Sequence, residues 1–297
     1  MSVEHFCHLD QAQTPVDARR RMARLAGEHL ELCAWQIAPG VPEPTALGRY
    51  AECFVVPLTG TLGLASDADD GGARALPGDD SRSCPLQYGG LAYWSETRGP
   101  AAVRGADCRF LIVGWPHGME PGAPAGPSGT AGAAPGTDGT PAPAEGVAGA
   151  AENAPAGPPA VPGAPGAEAP VPHRHGAWDI YHFDEALAPA APGWRFFSVD
   201  GAYLTVGASY REALPPAREQ PHSHDGEQIN VALEGRFAFT VGEHTETLTA
   251  GWAALTPRGV THTGLHLALP YFQLIFATPP RGRGYAEFLR SIYRPRD

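Results

Sequence analysis

Hydrophobic and polar side chains alternate in short runs in both the first and the last third of the chain. In QINVALEG (228–235) the apolar residues stand at 229, 231 and 233, and a glycine ends the run. A strand turns successive side chains to opposite faces, and short strands separated by glycine and proline are typical of sandwiches and barrels. The pattern therefore predicts an all-β fold, with short helices only near the termini, at 16–30 and 284–293.

The two parts of the chain also resemble each other. Four pairs of segments follow in the same order: LELCAWQIAPGVPEP (30–44) with LTVGASYREALPP (204–216), YAECFVVPLTGTLGLAS (50–66) with GEQINVALEGRFAFTVG (226–242), GGLAYWS (89–95) with AGWAALTP (250–257), and CRFLIVGWP (108–116) with YFQLIFATPP (271–280). A repeated β unit indicates two similar domains in tandem, although a chance likeness between two β domains stays open.

The segment between these parts consists almost entirely of alanine, glycine and proline, and it contains no aromatic residue. Such a sequence cannot bury enough apolar surface to offset the entropy lost on ordering. It predicts a disordered linker at 119–172. The linker separates a first domain at 1–118 from a second domain at 173–297.

Composition and charge exclude several functions. The formal net charge is −11 and only 21 residues are lysine or arginine, which argues against nucleic acid and anionic lipid as partners. The chain starts without a signal-peptide pattern, and no apolar run could span a membrane, so we expect a cytoplasmic protein. Five cysteines without a CxxC pair indicate neither a disulfide framework nor a zinc ribbon. We expect them to be buried and reduced.

Candidate chemistry is concentrated in the second domain. His222 and His224 are two residues apart, so on a strand they share a face. Gln228 follows after a short turn and shares its face with Asn230, and His262 comes later, after a Pro-x-Gly turn. Three imidazoles and a carboxamide in this pattern point to a metal site, with a polar loop that merely contains histidines as the alternative.

These residues resemble the two motifs of the cupin superfamily, G-x5-H-x-H-x3,4-E-x6-G and G-x5-P-x-G-x2-H-x3-N. The matching positions, at the family's spacing, are His222, His224, Gln228 and Gly235 in the first motif and Gly251, Pro257, Gly259 and His262 in the second. The resemblance implies two tandem cupin barrels, that is, a bicupin of double-stranded β-helix or jelly-roll domains.

The chain departs from the motifs at three positions: Pro216 replaces the first glycine, Gln228 replaces the glutamate, and His266 replaces the final asparagine. The first domain departs further. Aligned on Gly60, its ligand positions fall near Leu47, Arg49 and Cys53, which are not a metal-binding set. The resemblance therefore implies a degenerate first barrel without metal and a second barrel that binds one.

The resemblance implies that His222, His224, Gln228 and His262 hold one divalent transition metal. Imidazole nitrogen and amide oxygen suit Fe, Zn, Mn, Ni, Co or Cu. Glutamine instead of glutamate removes a negative charge from the ligand set, so the bound metal stays more electropositive. That favours Lewis-acid work on a carbonyl group.

Two residues are candidates for acid–base catalysis. His266 could be a base near the metal, or a surface histidine. Glu227 could be catalytic, or it could face outward. A second HxH, at 173–175, has Asp179 at a tempting spacing, but it adjoins the linker and no glycine closes the motif, so we do not expect a metal there.

The glutamine ligand is similar to that of the bacilysin-pathway bicupin isomerase and of the cupin cyclases of aromatic polyketide pathways. This resemblance implies an isomerase or cyclase of small-molecule, secondary-metabolite biosynthesis, in which a base moves a proton beside a polarised carbonyl. An Fe(II)-dependent dioxygenase or oxidase, and a non-catalytic cupin that binds a small molecule, remain alternatives. The expected partner is a small-molecule substrate, and a homodimer is compatible with barrels of this kind.

Overall fold

The structure, a computed structural model, describes residues 5–39, 43–66, 84–99, 101–118, 170–213, 217–278 and 293–295. Their secondary structure is almost entirely antiparallel strand, which confirms the all-β prediction. The helices among them are a 3₁₀ turn (Glu96–Arg98) and α1 (Phe183–Ala186). In this described part of the chain, no helix is long and apolar enough to cross a membrane.

The strands before the linker are β1 (Phe6–His8), β2 (Thr14–Pro15), β3 (Arg20–Ala26), β4 (Glu31–Ile37), β5 (Glu43–Ala46), β6 (Tyr50–Thr59), β7 (Thr61–Ser66), β8 (Cys84–Gln87), β9 (Gly90–Ser95), β10 (Ala101–Gly105) and β11 (Cys108–Pro116). Those after it are β12 (His173–His175), β13 (Trp178–His182), β14 (Ala188–Ala191), β15 (Trp194–Asp200), β16 (Thr205–Arg211), β17 (Ala217–Glu219), β18 (Gln228–Val241), β19 (His244–Leu248), β20 (Trp252–Thr256), β21 (His262–Ala277) and β22 (Tyr293–Pro295).

The first barrel is built from two sheets. The larger has the order β12-β13-β9-β6-β11-β4-β3-β2, and the smaller has the order β5-β10-β7-β8. Side chains from both sheets form an apolar core that includes Trp94, Phe110 and Trp178. Aromatic side chains of this size bury about 150–250 Å² each, so the interior of the first barrel is filled by packing.

The second barrel is formed by one sheet, in the order β1-β20-β18-β21-β16-β15-β14, with β19 also paired to β18. The sheet curls because the long strands β18 and β21 bend at several register shifts. Gly235 lies at this bend with φ 78°, and a Cβ atom there would overlap the carbonyl oxygen of Pro270. Beyond the bend, Phe237, Phe239 and Tyr271 contribute to a small apolar core.

A shared core joins the two barrels. It takes apolar side chains from the large sheet of each, and Phe54 of the first barrel meets Phe276 of the second with ring centroids 6.3 Å apart. The parts of the chain on both sides of the linker belong to one compact unit. The barrels are therefore packed against each other and share one hydrophobic layer.

Two segments cross the predicted domain boundaries. β1 pairs with β20 of the second barrel, with Phe6 opposite Ala254. β12 and β13 follow the linker but join the first barrel through β9, where Trp178 is fully buried and its Nε1–H donates to Ala65 O at 3.2 Å. The assignment of 1–118 and 173–297 to separate domains is wrong for these segments, because strand pairing and chain order do not coincide.

The predicted helix at 16–30 is also wrong, because Arg20–Ala26 forms β3. Alanine, arginine and leucine favour helix, but only weakly. Ala23 and Leu25 alternate with more exposed neighbours and enter the shared core, and β3 pairs along its length with β4. Most of the other predicted helix, at 284–293, lies outside the described residues, as does the predicted linker up to residue 169.

Candidate metal centre

Three histidines meet where β18 and β21 begin. His222 and His224 lie in the loop before β18, and His262 is the first residue of β21. The backbone N–H of His222 donates to His262 O at 3.0 Å, and that of His262 donates to His222 O at 2.9 Å. The ring centroid of His262 lies 4.2 Å from that of His222 and 4.9 Å from that of His224. The two motifs therefore converge in space.

Each of these rings is held by its Nδ1 atom, which faces the backbone carbonyl of a residue two positions away. The pairs are His222 with Gln220 at 2.9 Å, His224 with Gly226 at 2.8 Å, and His262 with Val260 at 3.2 Å. A carbonyl oxygen can only accept a hydrogen bond, so each Nδ1 carries the hydrogen. In the neutral ring the lone pair is then on Nε2, and this tautomer is the one a metal ligand needs.

Gln228 completes the predicted ligand set. It is the first residue of β18 and is buried, and its Oε1 lies 3.3 Å from Nε2 of His224. With the hydrogen on Nδ1, the lone pair of Nε2 and the Oε1 atom lie close enough together to bind one cation.

The donor types fit a divalent transition metal. As the side chains stand, no three His, Cys, Asp or Glu residues among those described form a finished metal site, and the ring centroids of His222 and His224 are 6.2 Å apart. The rings would have to turn about their Nδ1 anchors to direct their nitrogens to one point. The fit to a metal therefore rests on the donor types of the four side chains, on the tautomer of the three rings and on their closeness in space.

Glu219 lies beside this cluster and was not singled out from the sequence. Its Oε1 is 3.9 Å from Nδ1 of His222, and its side chain is 9% exposed. A carboxylate near the outer nitrogen of a ligating histidine raises the basicity of that ligand. The signal available in the sequence was a carboxylate three residues before the first histidine.

Neutral polar groups continue the face of β18 that carries Gln228. Thr256 of β20 lies opposite Gln228, and Asn230 is two residues further along β18, so the three side chains share a face. Thr256 and Asn230 are buried, and neither Thr256 Oγ1 nor Asn230 Nδ2 has a hydrogen-bond partner among the described residues. Buried polar atoms are normally satisfied, so both can receive a bound polar molecule. Sequence reasoning placed Asn230 on this face but gave it no role.

Glu227 is directed away from the histidine cluster. Its carboxylate accepts hydrogen bonds from the backbone N–H groups of Glu28 at 2.5 Å, His29 at 2.6 Å and Leu30 at 2.9 Å. These residues form the turn between β3 and β4 of the first barrel. The catalytic role considered for Glu227 is not favoured, because both carboxylate oxygens are engaged on the opposite side of the strand from Gln228.

His266 lies inside the second barrel, so the alternative of a surface histidine is wrong. It is four residues after His262 on β21, which places it roughly 13 Å along the strand at the usual rise. Its ring packs edge-on against Phe237, with centroids 4.8 Å apart, and against Tyr271 at 5.1 Å. It is therefore buried in the aromatic core of the barrel, beyond the reach of a metal at the three histidines.

The equivalent positions of the first barrel hold no metal-binding set. Leu47 belongs to the apolar core, Arg49 forms an ion pair with Glu31, and Cys53 is fully buried. Burial raises the pKa of the Cys53 thiol well above its ordinary value, so this group stays neutral. These contacts leave the first barrel without ligands at the places where the second barrel has His222, His224 and Gln228.

The remaining cysteines and the second HxH segment have ordinary surroundings. None of the five cysteines forms a disulfide. Cys33, Cys53 and Cys108 are buried, whereas Cys7 and Cys84 are partly exposed, so the expectation of burial is confirmed for three.

In the HxH segment, His173 is exposed and lies 3.0 Å from Glu185. Asp179 is paired with Arg98 at 2.6 Å. The aspartate is thus used in an ion pair within the first barrel, and the segment offers no metal set.

Comparison with known proteins agrees with this architecture. Residues 210–266 match the family model of the cupin domain. An uncharacterized protein of Streptomyces coelicolor is 30% identical over 89 residues, which are 27% of this chain and 83% of that protein. The match to the cupin domain thus lies in the part of the chain that carries His222, His224, Gln228 and His262.

Solved structures show the same fold. A cupin 2 conserved barrel domain protein from Leptotrichia buccalis is 10% identical with a TM-score of 0.53, over 94% of this chain and 97% of that one. Oxalate decarboxylase from Bacillus subtilis, solved at pH 4.6, is 14% identical with a TM-score of 0.55, over 94% and 77%. The prediction of two tandem cupin barrels is confirmed, and at these identities the likeness concerns the fold alone.

Proposed function

We propose that the chain is a metal-dependent enzyme with one active site, in the second barrel, which isomerises or cyclises a carbonyl-bearing small molecule of secondary metabolism. The observation that carries the proposal is a set of four neutral donors. Three imidazoles are fixed by their Nδ1 atoms, and the Gln228 amide oxygen lies beside His224 Nε2.

The charge of this set decides between types of chemistry. A divalent transition metal held by His222, His224, Gln228 and His262 supplies Lewis acidity toward a substrate oxygen when bound. No carboxylate in the set offsets the metal's charge. A set of this kind favours polarising a carbonyl over reaching a high oxidation state.

The interior of the barrel would orient the substrate. Asn230 Nδ2 and Thr256 Oγ1 can donate hydrogen bonds to carbonyl or hydroxyl oxygens, and both lie on the face of Gln228. Deeper in the barrel, Phe237 and Tyr271 would pack on the apolar part and exclude water. This lining matches a neutral, oxygen-rich molecule with an apolar or aromatic portion.

Proton transfer would involve a group away from the metal. His266 is the candidate base, and its place along β21 suits only a substrate that extends roughly 13 Å into the barrel. Glu219 would act through His222, by its charge near Nδ1. Proton transfer by His266 therefore requires an extended substrate, and with a short carbonyl compound solvent water would take the proton.

Metal content tests the site. We would purify the wild type, His224→Ala and His173→Ala without oxygen and measure bound metals by elemental analysis. His173→Ala is the matched control, since it removes an exposed histidine of an HxH segment outside the cluster. We expect near-stoichiometric metal in the wild type and control and its loss from His224→Ala. Equally low metal in all three proteins would refute the site.

Solvent exchange tests the chemistry. The metal-loaded protein would be incubated in D2O without oxygen with a panel of 1,3-diketones and 2-oxo acids, and deuterium entering the carbon beside the carbonyl would be followed by NMR. Metal-dependent exchange that proceeds with zinc supports the proposal. Iron-dependent consumption of O2 would show an oxygenase instead, and ligand binding without turnover would show a binding protein.

A further inference from the structure

We infer that the first barrel positions the metal centre of the second barrel, and that it does so through Glu227, which acts as a positioning residue. It gives a role to a barrel in which Leu47, Arg49 and Cys53 stand where the other barrel has its candidate ligands. It rests on the proposed function for the metal itself, and one of its tests therefore uses metal-free protein.

The side chain of Glu227 fits tightly into a turn of the first barrel. The three backbone N–H groups at 28–30 surround its carboxylate at 2.5 to 2.9 Å. The turn is closed by the N–H of Gly27, which donates to Leu30 O at 2.8 Å. A Cβ atom on Gly27 would overlap the carboxylate. A concave group of backbone N–H donors is a binding site for an anion, and here the anion is a side chain of the other barrel.

Glu227 is also connected to the candidate metal ligand His224. Glu227 is the middle residue of three that hold His224: Gly226 accepts from its Nδ1 at 2.8 Å, and Gln228 lies 3.3 Å from its Nε2. The backbone of Glu227 is fixed as well, since its N–H donates to Thr278 Oγ1 at 3.2 Å and its carbonyl accepts from Thr278 N–H at 2.9 Å. A displacement of Glu227 would therefore move both contacts of His224 together.

A reciprocal contact joins the barrels in the opposite direction. Glu52 of the first barrel accepts from a turn of the second barrel, and its donors are the N–H groups of Ala202 at 2.7 Å, Tyr203 at 2.8 Å and Leu204 at 2.7 Å. Gly201 closes that turn on Leu204 and likewise has no room for a Cβ atom. Burial raises the pKa of Glu52 above its ordinary value, against the effect of these donors. Glu52 precedes Cys53 just as Glu227 precedes Gln228.

The two glutamates form a matched pair for experiment. Both join the barrels by three backbone hydrogen bonds, and Glu52 also accepts one from the Tyr93 hydroxyl at 3.0 Å, so loss of Glu52 should weaken the fold at least as much as loss of Glu227. Only Glu227 adjoins residues that hold a candidate ligand. Loss of groups that orient metal ligands costs about 10- to 100-fold in metal affinity. We therefore expect Glu227→Ala to raise the Co²⁺ dissociation constant by about tenfold or more, and Glu52→Ala to leave it within about twofold.

The experiment uses the full chain. Co²⁺ would be titrated into the metal-free wild type, Glu227→Ala and Glu52→Ala, and binding and coordination would be followed by visible absorption, with melting temperatures measured alongside. Gly27→Ala and Gly201→Ala form a second pair with the same expectation. Similar losses in melting temperature with a loss of Co²⁺ affinity only in the Glu227 and Gly27 variants would support the inference. Equal effects on affinity in both members of a pair would overturn it.

A readout without metal separates this inference from the proposed function. In metal-free protein labelled with ¹⁵N-histidine, Glu227→Ala should shift or broaden the imidazole signals of His222, His224 and His262, whereas Glu52→Ala should not. If the wild type binds no Co²⁺, the proposed function fails and these signals alone decide the inference. Unchanged signals in Glu227→Ala would overturn it. Glu227→Gln, which keeps one acceptor oxygen, replaces the alanine variant if that does not fold.

Discussion

The two barrels have similar frames and different interiors. Where the second barrel has Gln228, the first has Cys53, packed in a core with Trp94 and Trp178. In the second barrel the same face continues with Asn230 and Thr256, whose polar atoms await a partner within the described part of the chain. The first interior is filled by apolar packing, whereas the second combines an apolar core beyond its bend with hydrogen-bonding groups beside the histidines.

This difference shows that the frame, meaning the strands and the contacts between the barrels, can be kept while the polar side chains of the site are lost. The reciprocal contacts of Glu52 and Glu227 are present in both directions, and both barrels place a glycine with positive φ after the corresponding strand segment, Gly60 and Gly235. Among the described residues, the candidate ligands and the polar side chains Asn230 and Thr256 lie in the second barrel. Substitutions can therefore be sorted by whether they act on the frame, on the site, or on both.

The largest effect is expected from separating the barrels. A chain of residues 173–297 loses β1 and exposes its half of the shared core, including Phe276, so we expect it not to fold. Circular dichroism and size-exclusion chromatography of this fragment check the expectation. A monomeric fragment with a cooperative thermal transition would show that the frame of each barrel is independent.

The next effect is the loss of the large side chain that fills the first barrel. Trp178→Ala should lower the free energy of unfolding by about 3–5 kcal/mol, because it removes a buried aromatic side chain and leaves a cavity. Co²⁺ affinity should not change, since Trp178 lies in the first barrel. Urea unfolding and Co²⁺ titration measure the two quantities. A large loss of Co²⁺ affinity would show that the interior of the first barrel also supports the site.

A smaller effect is expected at the paired glycines. Gly60→Ala and Gly235→Ala both place a side chain at positive φ, 74° and 78°, which costs about 1–3 kcal/mol in each case. A Cβ atom would also crowd the neighbouring backbone at both positions. Similar losses in urea unfolding would support the equivalence of the two turns. A marked difference would mean that one bend is far more adaptable than the other.

The smallest effect is a difference in thiol reactivity. A thiol reagent at neutral pH should modify Cys7 and Cys84 in the native protein, and leave Cys33, Cys53 and Cys108 until the protein is unfolded. Thiolate is the reactive form, and burial raises the pKa of Cys108 to about 11, so its reactivity should increase only as the pH approaches that value. Rapid modification of Cys53 would contradict a closed interior in the first barrel.

Short sequence patterns predicted those features of the fold and of the site that depend on neighbouring residues. Alternation located the first part of β18, and motif spacing grouped His222, His224 and His262, of which His222 and His262 are joined by a backbone bridge. In each case the information lies within a few residues.

Long-range pairing was not accessible in the same way. The sequence of β1 and of β12–β13 does not tell which sheet completes them, and β3 forms against its intrinsic preference because β4 lies beside it. The N–H donors to the Glu227 carboxylate come from the first barrel, so these contacts could not be read from the sequence around Glu227. The alternative of a surface position for His266 was wrong. On this strand His266 faces the interior, and its neighbours Leu265 and Leu267 are exposed, which is the reverse of what their side chains would suggest.

The crossing strands also set the order in which the protein can be completed during synthesis. β13 pairs with β9 of the first barrel but leaves the ribosome only after the linker, and β1 must wait for β20. Until then, the edge of β9 that receives β13 is open, and open edges pair with other chains. The time needed to translate residues 119–169 is thus the time for which a nascent first barrel lacks β13, and we expect its open edge to be most prone to pairing with other chains in that interval.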